Sequence, residues 1–151
     1  MKKATGSSPK PGHARAAASD GVMFSLLAAA HSLEQRLEAA MEEVGLSSAK
    51  FSALTHLVEA GEALSLSECA KRMTCVRSNI TQLMDRLEAE GLVKRVDDPN
   101  DRRGVRATLT PLGLERQAAG AKALAQVQKE FAKTLAGADR DALARVLAAM
   151  R

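Results

Sequence analysis

A mainly α-helical fold with one small β-hairpin is the class that this 151-residue sequence predicts, on three observations. Apolar residues recur at spacings of three and four through most of the chain, the signature of helices that bury one face. Between residues 92 and 109 the period changes to alternation, the signature of strands. Gly45, Gly61, Gly91 and Gly137 stand where successive helical stripes stop, the place where a left-handed residue closes a helix. A chain of this length buries roughly 68–70% of its unfolded surface as one domain, so a core forms without staples.

Residues 1–19 (MKKATGSSPKPGHARAAAS) mix Gly, Pro, Ser and Lys without apolar periodicity, and read as a disordered basic arm. The first stripe runs Leu26, Ala30, Leu33, Leu37, Ala40 or Met41, and Val44, and stops at Gly45. Ser47 is the expected N-cap of a second helix carrying Phe51, Leu54, Leu57 and Val58, which stops at Gly61. Ser65 with Glu68 three residues on is a capping box that starts a short third helix through Met73, with a break at Thr74. Ile80, Leu83, Met84 and Leu87 form the stripe of a fourth helix ending at Gly91. Residues 92–96 (LVKRV) and 105–109 (VRATL) read as two strands around a long polar loop, DDPNDRRG. Thr110 followed by Pro111 opens a long fifth helix that Gly137 breaks, and Asp139 caps a sixth with Leu143, Val146, Leu147 and Met150 on one side.

The net charge of +4 has an uneven origin, since Lys2, Lys3, Lys10 and Arg15 supply all of it within the arm. Residues 20–63 sum to −5, residues 64–110 to +2 and residues 111–151 to +3, so the basic surplus is local. Aromatic residues make up 2% of the chain, with neither Trp nor Tyr, which excludes stacking platforms for single-stranded nucleic acid. Cys69 and Cys75 make no disulfide framework, and with three scattered histidines they make no zinc pattern. The apolar run at 22–30 (VMFSLLAAA) has the look of a secretory signal core, but Asp20 precedes it and its periodicity continues to Val44. No stretch reaches the 18 apolar residues of a membrane span, and a reducing cytoplasm is the expected compartment. Neither a nucleophile elbow, a phosphate-binding loop, an HExxH helix nor a dinucleotide fingerprint occurs; no cofactor, metal or enzymatic activity is expected.

Helix, turn, helix and then a two-stranded wing is a plan for binding double-stranded DNA. With the stripe of the fourth helix turned inward, the opposite face centres on Ser78, Gln82 and Asp85, flanked by Asn79, Thr81 and Arg86, with Arg77 in the first turn. Gln and Asn side chains pair with adenine and Arg with guanine, so this face has the groups that base-edge readout uses. The bland alternative, a solvated polar coat, loses weight because the capped helix precedes it and the wing follows.

Residues 65–113 resemble the winged helix–turn–helix of the multiple antibiotic resistance regulator (MarR) family in the pieces SECAKRM, NITQLMDRLEAEGLV, DRR and LTPLG. The resemblance implies a homodimer in which helices within 20–45 and 111–151 interlock around a winged helix–turn–helix at 46–110, the whole of 20–151 being one domain. It implies that Arg77, Ser78, Asn79, Thr81 and Gln82 enter the major groove and that Arg86 holds phosphate. In the wing it implies that Arg103 reaches the minor groove with Asp101 orienting it, while Arg102, Arg106, Lys94 and Arg95 attract the DNA backbone. Val76 stands where the family often has a capping Ser or Asp, which leaves that role to Thr74. A repressor that binds a pseudo-palindromic operator and is released by a small aromatic or anionic effector is the function expected, with His31 and His56 as candidate pocket residues or structural histidines. Two alternatives stay open: thiol-based sensing at Cys75, which otherwise fills the turn as a small buried residue, and a winged adaptor that binds no DNA.

Overall fold

The computed structural model describes residues 11–73 and 80–150, with side chains described except at 11–20, 102 and 103. The elements run α1 (Pro11–Glu42), α2 (Ser48–Ala60), β1 (Leu64–Ser65), α3 (Leu66–Arg72), α4 (Ile80–Ala89), β2 (Val93–Asp98), β3 (Asp101–Leu109), α5 (Pro111–Thr134) and α6 (Arg140–Ala148). The chain divides into two compact units, residues 1–36 and 37–151.

In the first unit, α1 begins at Pro11, inside the segment expected to be a disordered arm through residue 19. Proline suits the first helical position, and Ala14, Ala16, Ala17 and Ala18 follow it with the highest helix propensity of any residue type. Local propensity therefore extends this helix without an apolar stripe. Further along, Val22, Met23, Phe24 and Leu27 are each at least half exposed.

The second unit carries the core. Met41, Leu54, Leu64, Met84 and Leu87 are its largest fully buried side chains, joined by Leu46, Leu57, Leu92 and Ala107. The end of α1 and the end of α4 are closed in the same way: Leu46 N–H donates to Met41 O and Gly45 N–H to Glu42 O, as Leu92 N–H donates to Leu87 O and Gly91 N–H to Glu88 O. Gly45 and Gly91 both have φ of 71°, where a Cβ would be strained. The residue after each glycine, Leu46 or Leu92, then turns into the core at 4% and 5% exposure. The expected caps are formed by Ser47, whose hydroxyl accepts from Lys50 N–H; by Ser65, in a complete capping box with Glu68; by Thr110, accepting from Gly113 N–H; and by Asp139, accepting from Ala142 N–H.

The β structure departs from a simple hairpin in two respects. A third strand, β1, pairs antiparallel with β3 through Leu64↔Ala107 and Ser65↔Arg106, giving the order β1-β3-β2. Two residues are too short for any alternating pattern to register. The hairpin's pairing also continues into the segment expected to be a long loop, as far as Asp98↔Asp101, leaving only Pro99 and Asn100 at the turn. The Asp98 carboxylate accepts from Asn100 N–H at 2.9 Å and so satisfies the turn's own donor. Between Asp97↔Val105 and Asp98↔Asp101 the register jumps, so residues 102–104 bulge from β3. A Cβ at Gly104 would stand 2.9 Å from the Asp98 Cβ, which explains glycine at the foot of the bulge.

α5 is anchored at its start. Thr110 N–H donates to Leu92 O, the Thr110 hydroxyl donates to Gly91 O at 2.6 Å, and a Cβ at Gly113 would fall 1.9 Å from Leu92 O. Two turns later Gly120 meets the Phe51 ring in the same manner, at 2.5 Å. At Gly113 the obstacle is backbone, which cannot rotate away. Gly113→Ala is therefore expected to destabilise the fold by about 1–3 kcal/mol, read as a lower urea midpoint with an unchanged m-value.

Candidate nucleic-acid interface

α4 presents two chemically distinct faces. Leu83, Met84 and Leu87 are buried, while Thr81, Gln82, Asp85 and Arg86 are exposed, as the helical angles require. Of the groups assigned to base readout, Thr81 and Gln82 thus stand on the outer face with Arg86 one turn on. Arg77, Ser78, Asn79 and Cys75 lie outside the described residues, as do Thr74 and Val76. Arg102 and Arg103 are placed by their backbone in the β3 bulge, next to the exposed Asp101. The last turn of α3 adds two exposed cations, Lys71 and Arg72, which sequence analysis did not single out. Their signal was available, since two adjacent basic residues close the third helix of the motif.

Ion pairing sorts the remaining cations. Arg95, expected to attract DNA backbone, is held by α4: its guanidinium pairs with Asp85 and, at 3.2 Å, with Glu88, while its backbone N–H donates to Glu88 Oε1. Asp85, at the centre of the supposed reading face, is thereby a structural partner of β2. Arg106, expected in the same role, is mostly buried and bonded on three sides. Its Nε donates to Ala63 O, its Nη1 to Asp98 Oδ2 and its Nη2 to Glu68 Oε2, each at 3.0 Å. Both arginines were assigned through the family resemblance; the carboxylates that neutralise them come from ten or more residues away in Arg95–Asp85 and Arg106–Glu68, beyond any local charge pattern. Lys94 on β2 is exposed.

The other candidates divide similarly. Cys69 is 2% exposed in α3, and burial, followed by the nearby Glu68 charge, pushes its thiol pKa up, so it serves as core packing. In the first unit His31 is exposed, with Nε2 2.9 Å from the Gln35 amide. In the second unit His56 is half-buried, with Nδ1 3.2 Å from Glu59 Oε2. That unit has a cleft of about 250 Å³ lined by Leu57, Val58, Glu62, Thr108, Leu109 and Leu114, and another of about 260 Å³ beside Gly45, Glu90, Leu92, Leu112 and Arg116. His56 lines neither. Among the described residues no cluster of three or more His, Cys, Asp or Glu is placed to hold a metal, and no helix is long and apolar enough to cross a membrane.

Comparison with known proteins agrees with this arrangement. The family model for the MarR family matches residues 46–105. The HTH-type transcriptional repressor MdtR of Bacillus subtilis (strain 168) is 33% identical over 106 residues, covering 68% of this chain and 68% of its own length. Among solved structures, AbsC, a MarR family transcriptional regulator from Streptomyces coelicolor, superposes with a TM-score of 0.72 at 28% identity, over 85% of this chain and 88% of its own. A mutant of Escherichia coli MarR complexed with operator DNA has the same fold, with a TM-score of 0.69 at 22% identity, over 86% of this chain and 91% of that one.

The carboxylates around Arg106 make the wing sensitive to acid. Glu68 is held below the usual carboxylate range by Ser65 N–H and hydroxyl, with further help from Arg106, against the opposing effect of burial. Asp98 is held low first by Asn100 N–H and then by Arg106, again against burial. A depressed folded-state pKa means stability that is present at neutral pH and lost as pH falls from the unfolded value, about 4, through the folded one. The parent's urea midpoint should therefore fall more steeply below about pH 4.5 than that of a Glu68→Gln, Asp98→Asn double variant, which starts lower at pH 7.

Proposed function

The chain belongs to the MarR family and is a DNA-binding transcriptional regulator, and from that premise we propose that it acts in the cytoplasm as a homodimeric repressor released by a small aromatic or anionic effector. The observation that carries the reading is α4: Leu83, Met84 and Leu87 fix its inner face, and Thr81 and Gln82 are left facing solvent ahead of a bulged wing. Arg77, Ser78, Asn79, Thr81 and Gln82 read base edges in the major groove, where a bidentate amide contact discriminates by about 1–3 kcal/mol. Arg86 holds phosphate; Lys71 and Arg72 join it, as exposed cations at the end of the preceding helix. Arg103 enters the minor groove from the bulge, Asp101 orients it and Arg102 contacts the backbone.

Dimerisation rests on exposed apolar side chains that a monomer leaves in water. Val22, Phe24 and Leu27 in the first unit, and Val146 and Leu147 on α6 with Met150 just after it in the second, are between 42% and 69% exposed. Two recognition helices in such a dimer lie about 34–36 Å apart and read successive major grooves. An effector that binds better to a DNA-incompetent spacing shifts the population away from the operator.

Selection from genomic fragments at about 150 mM salt is expected to recover a two-half-site palindrome with the parent, and none with a Gln82→Ala, Arg103→Ala double variant. The single Arg103→Ala variant should lower the magnitude of the salt slope by about one, because the slope of log K against log salt reports the counterions that a cation in the minor groove displaces. No enrichment by the parent would favour the adaptor alternative.

A further inference from the structure

Arg106 lies in the central strand, opposite Ser65 of β1 on one side and Val96 of β2 on the other. Its neighbour Ala107 is fully buried, so alternation along the strand turns Arg106 to the other face of the sheet. There its guanidinium reaches three places at once: the Ala63 carbonyl before β1, the Glu68 carboxylate in the capping box of α3, and the Asp98 carboxylate at the wing turn. The side chains of Arg106 and Asp98 are 19% and 12% exposed. Asp98 also accepts from Asn100 N–H, and Glu68 from Ser65 N–H, so each partner already fixes backbone of its own element.

We propose that Arg106 is a positioning residue for DNA recognition, which fastens the wing turn to the start of α3 and thereby sets the offset between the wing and α4. The proposal rests on the DNA-binding reading above. α3 packs directly against α4, so whatever holds the wing to α3 holds it to the reading helix as well. Two carboxylates surround one guanidinium, which leaves no positive charge for phosphate at this point. The planar fork offers its donors from three separate nitrogens held in one rigid plane, and each of the three acceptors takes a different one; a lysine ammonium has three donors but on a single nitrogen at the end of a flexible stem. The base of the β2–β3 hairpin is fixed by Val93 and Ala107 in the core and by Arg95 on α4, whereas the Arg106–Asp98 pair fastens the end nearer the turn. Bulged residues 102–104 lie within the segment that the tie steadies.

Lysine separates positioning from charge. Parent, Arg106→Ala and Arg106→Lys proteins are compared for affinity to the selected operator at several salt concentrations and for affinity to an unrelated duplex. Amide hydrogen exchange of the free proteins is followed alongside. Both variants are expected to lose about tenfold or more in operator affinity, with a salt slope unchanged to within about half a unit and with binding to the unrelated duplex kept within about twofold. Amides of residues 95–105 should exchange at least about tenfold faster in both, while those of α2 and α4 change little, which separates local loosening from general instability. Recovery of parental affinity by Arg106→Lys, or a slope lowered by about one in Arg106→Ala, would make Arg106 a phosphate ligand and overturn the proposal. If the parent selects no operator, the DNA reading fails separately, and the exchange measurement still decides whether Arg106 steadies the wing: unchanged exchange at 95–105 sinks it.

Discussion

Burial of Leu83, Met84 and Leu87 is the constraint on which the rest of this structure depends, because a ten-residue helix has one way to hide all three. They fix the rotation of α4 about its axis, and rotation decides that Thr81, Gln82 and Arg86 face outward. Isolated helices of this length are marginal in water, so α4 exists only while α2, α3 and the sheet cover that face. The closing glycine then links the core to the wing. Gly91 ends the helix in a left-handed turn, Leu92 drops into the core, and β2 starts at the next residue. Reading helix and wing are therefore joined through a buried leucine and not through a loose linker.

The second organising principle is charge neutralisation at a distance. Residues 64–110 contain nine bases and seven acids, and counting alone makes them a basic surface. In three dimensions Glu88 and Asp85 neutralise Arg95, Glu68 and Asp98 neutralise Arg106, and Glu90 pairs with Lys50 at 2.5 Å. The acids thus withdraw from the surface those cations that brace one element against another. Exposed pairs of this kind each contribute little, roughly 0–1 kcal/mol, but a guanidinium that satisfies three acceptors at once restricts geometry more than it adds stability. Among the described residues, what stays exposed is a smaller set, Lys71, Arg72, Arg86 and Lys94, on α3, α4 and β2.

At the other end of the sheet, glycine is selected by close approach and not by conformation. Gly113 and Gly120 lie seven residues apart on α5, nearly two turns, and so share a face. One admits the Leu92 carbonyl and the other the Phe51 ring. The Thr110 cap and Pro111 start α5 at a fixed point immediately after β3, so the long helix leaves the sheet in a defined direction.

Helix order, the four caps and the αL glycines could be read from the sequence, because each rests on residues within four positions of one another. The resemblance in residues 65–113 likewise identified the family that the comparisons support. The inner and outer faces of α4 followed from periodicity alone, and the structure places Thr81, Gln82 and Arg86 as the angles require. Strand β1 was not legible, since two residues carry no period and the strand exists only where β3 offers it an edge. The length of the wing strands was not legible either, because polar residues in DDPNDRRG pair once Asp98 satisfies the turn. The sequence by itself determined which helices form and which of their sides are apolar, as these are local properties of a chain with fixed periodicity. Only the tertiary structure decided which arginines remain available to a partner and which are bound internally, because Arg106 meets Glu68 across 38 positions of sequence, and no local pattern encodes a contact that folding must first create.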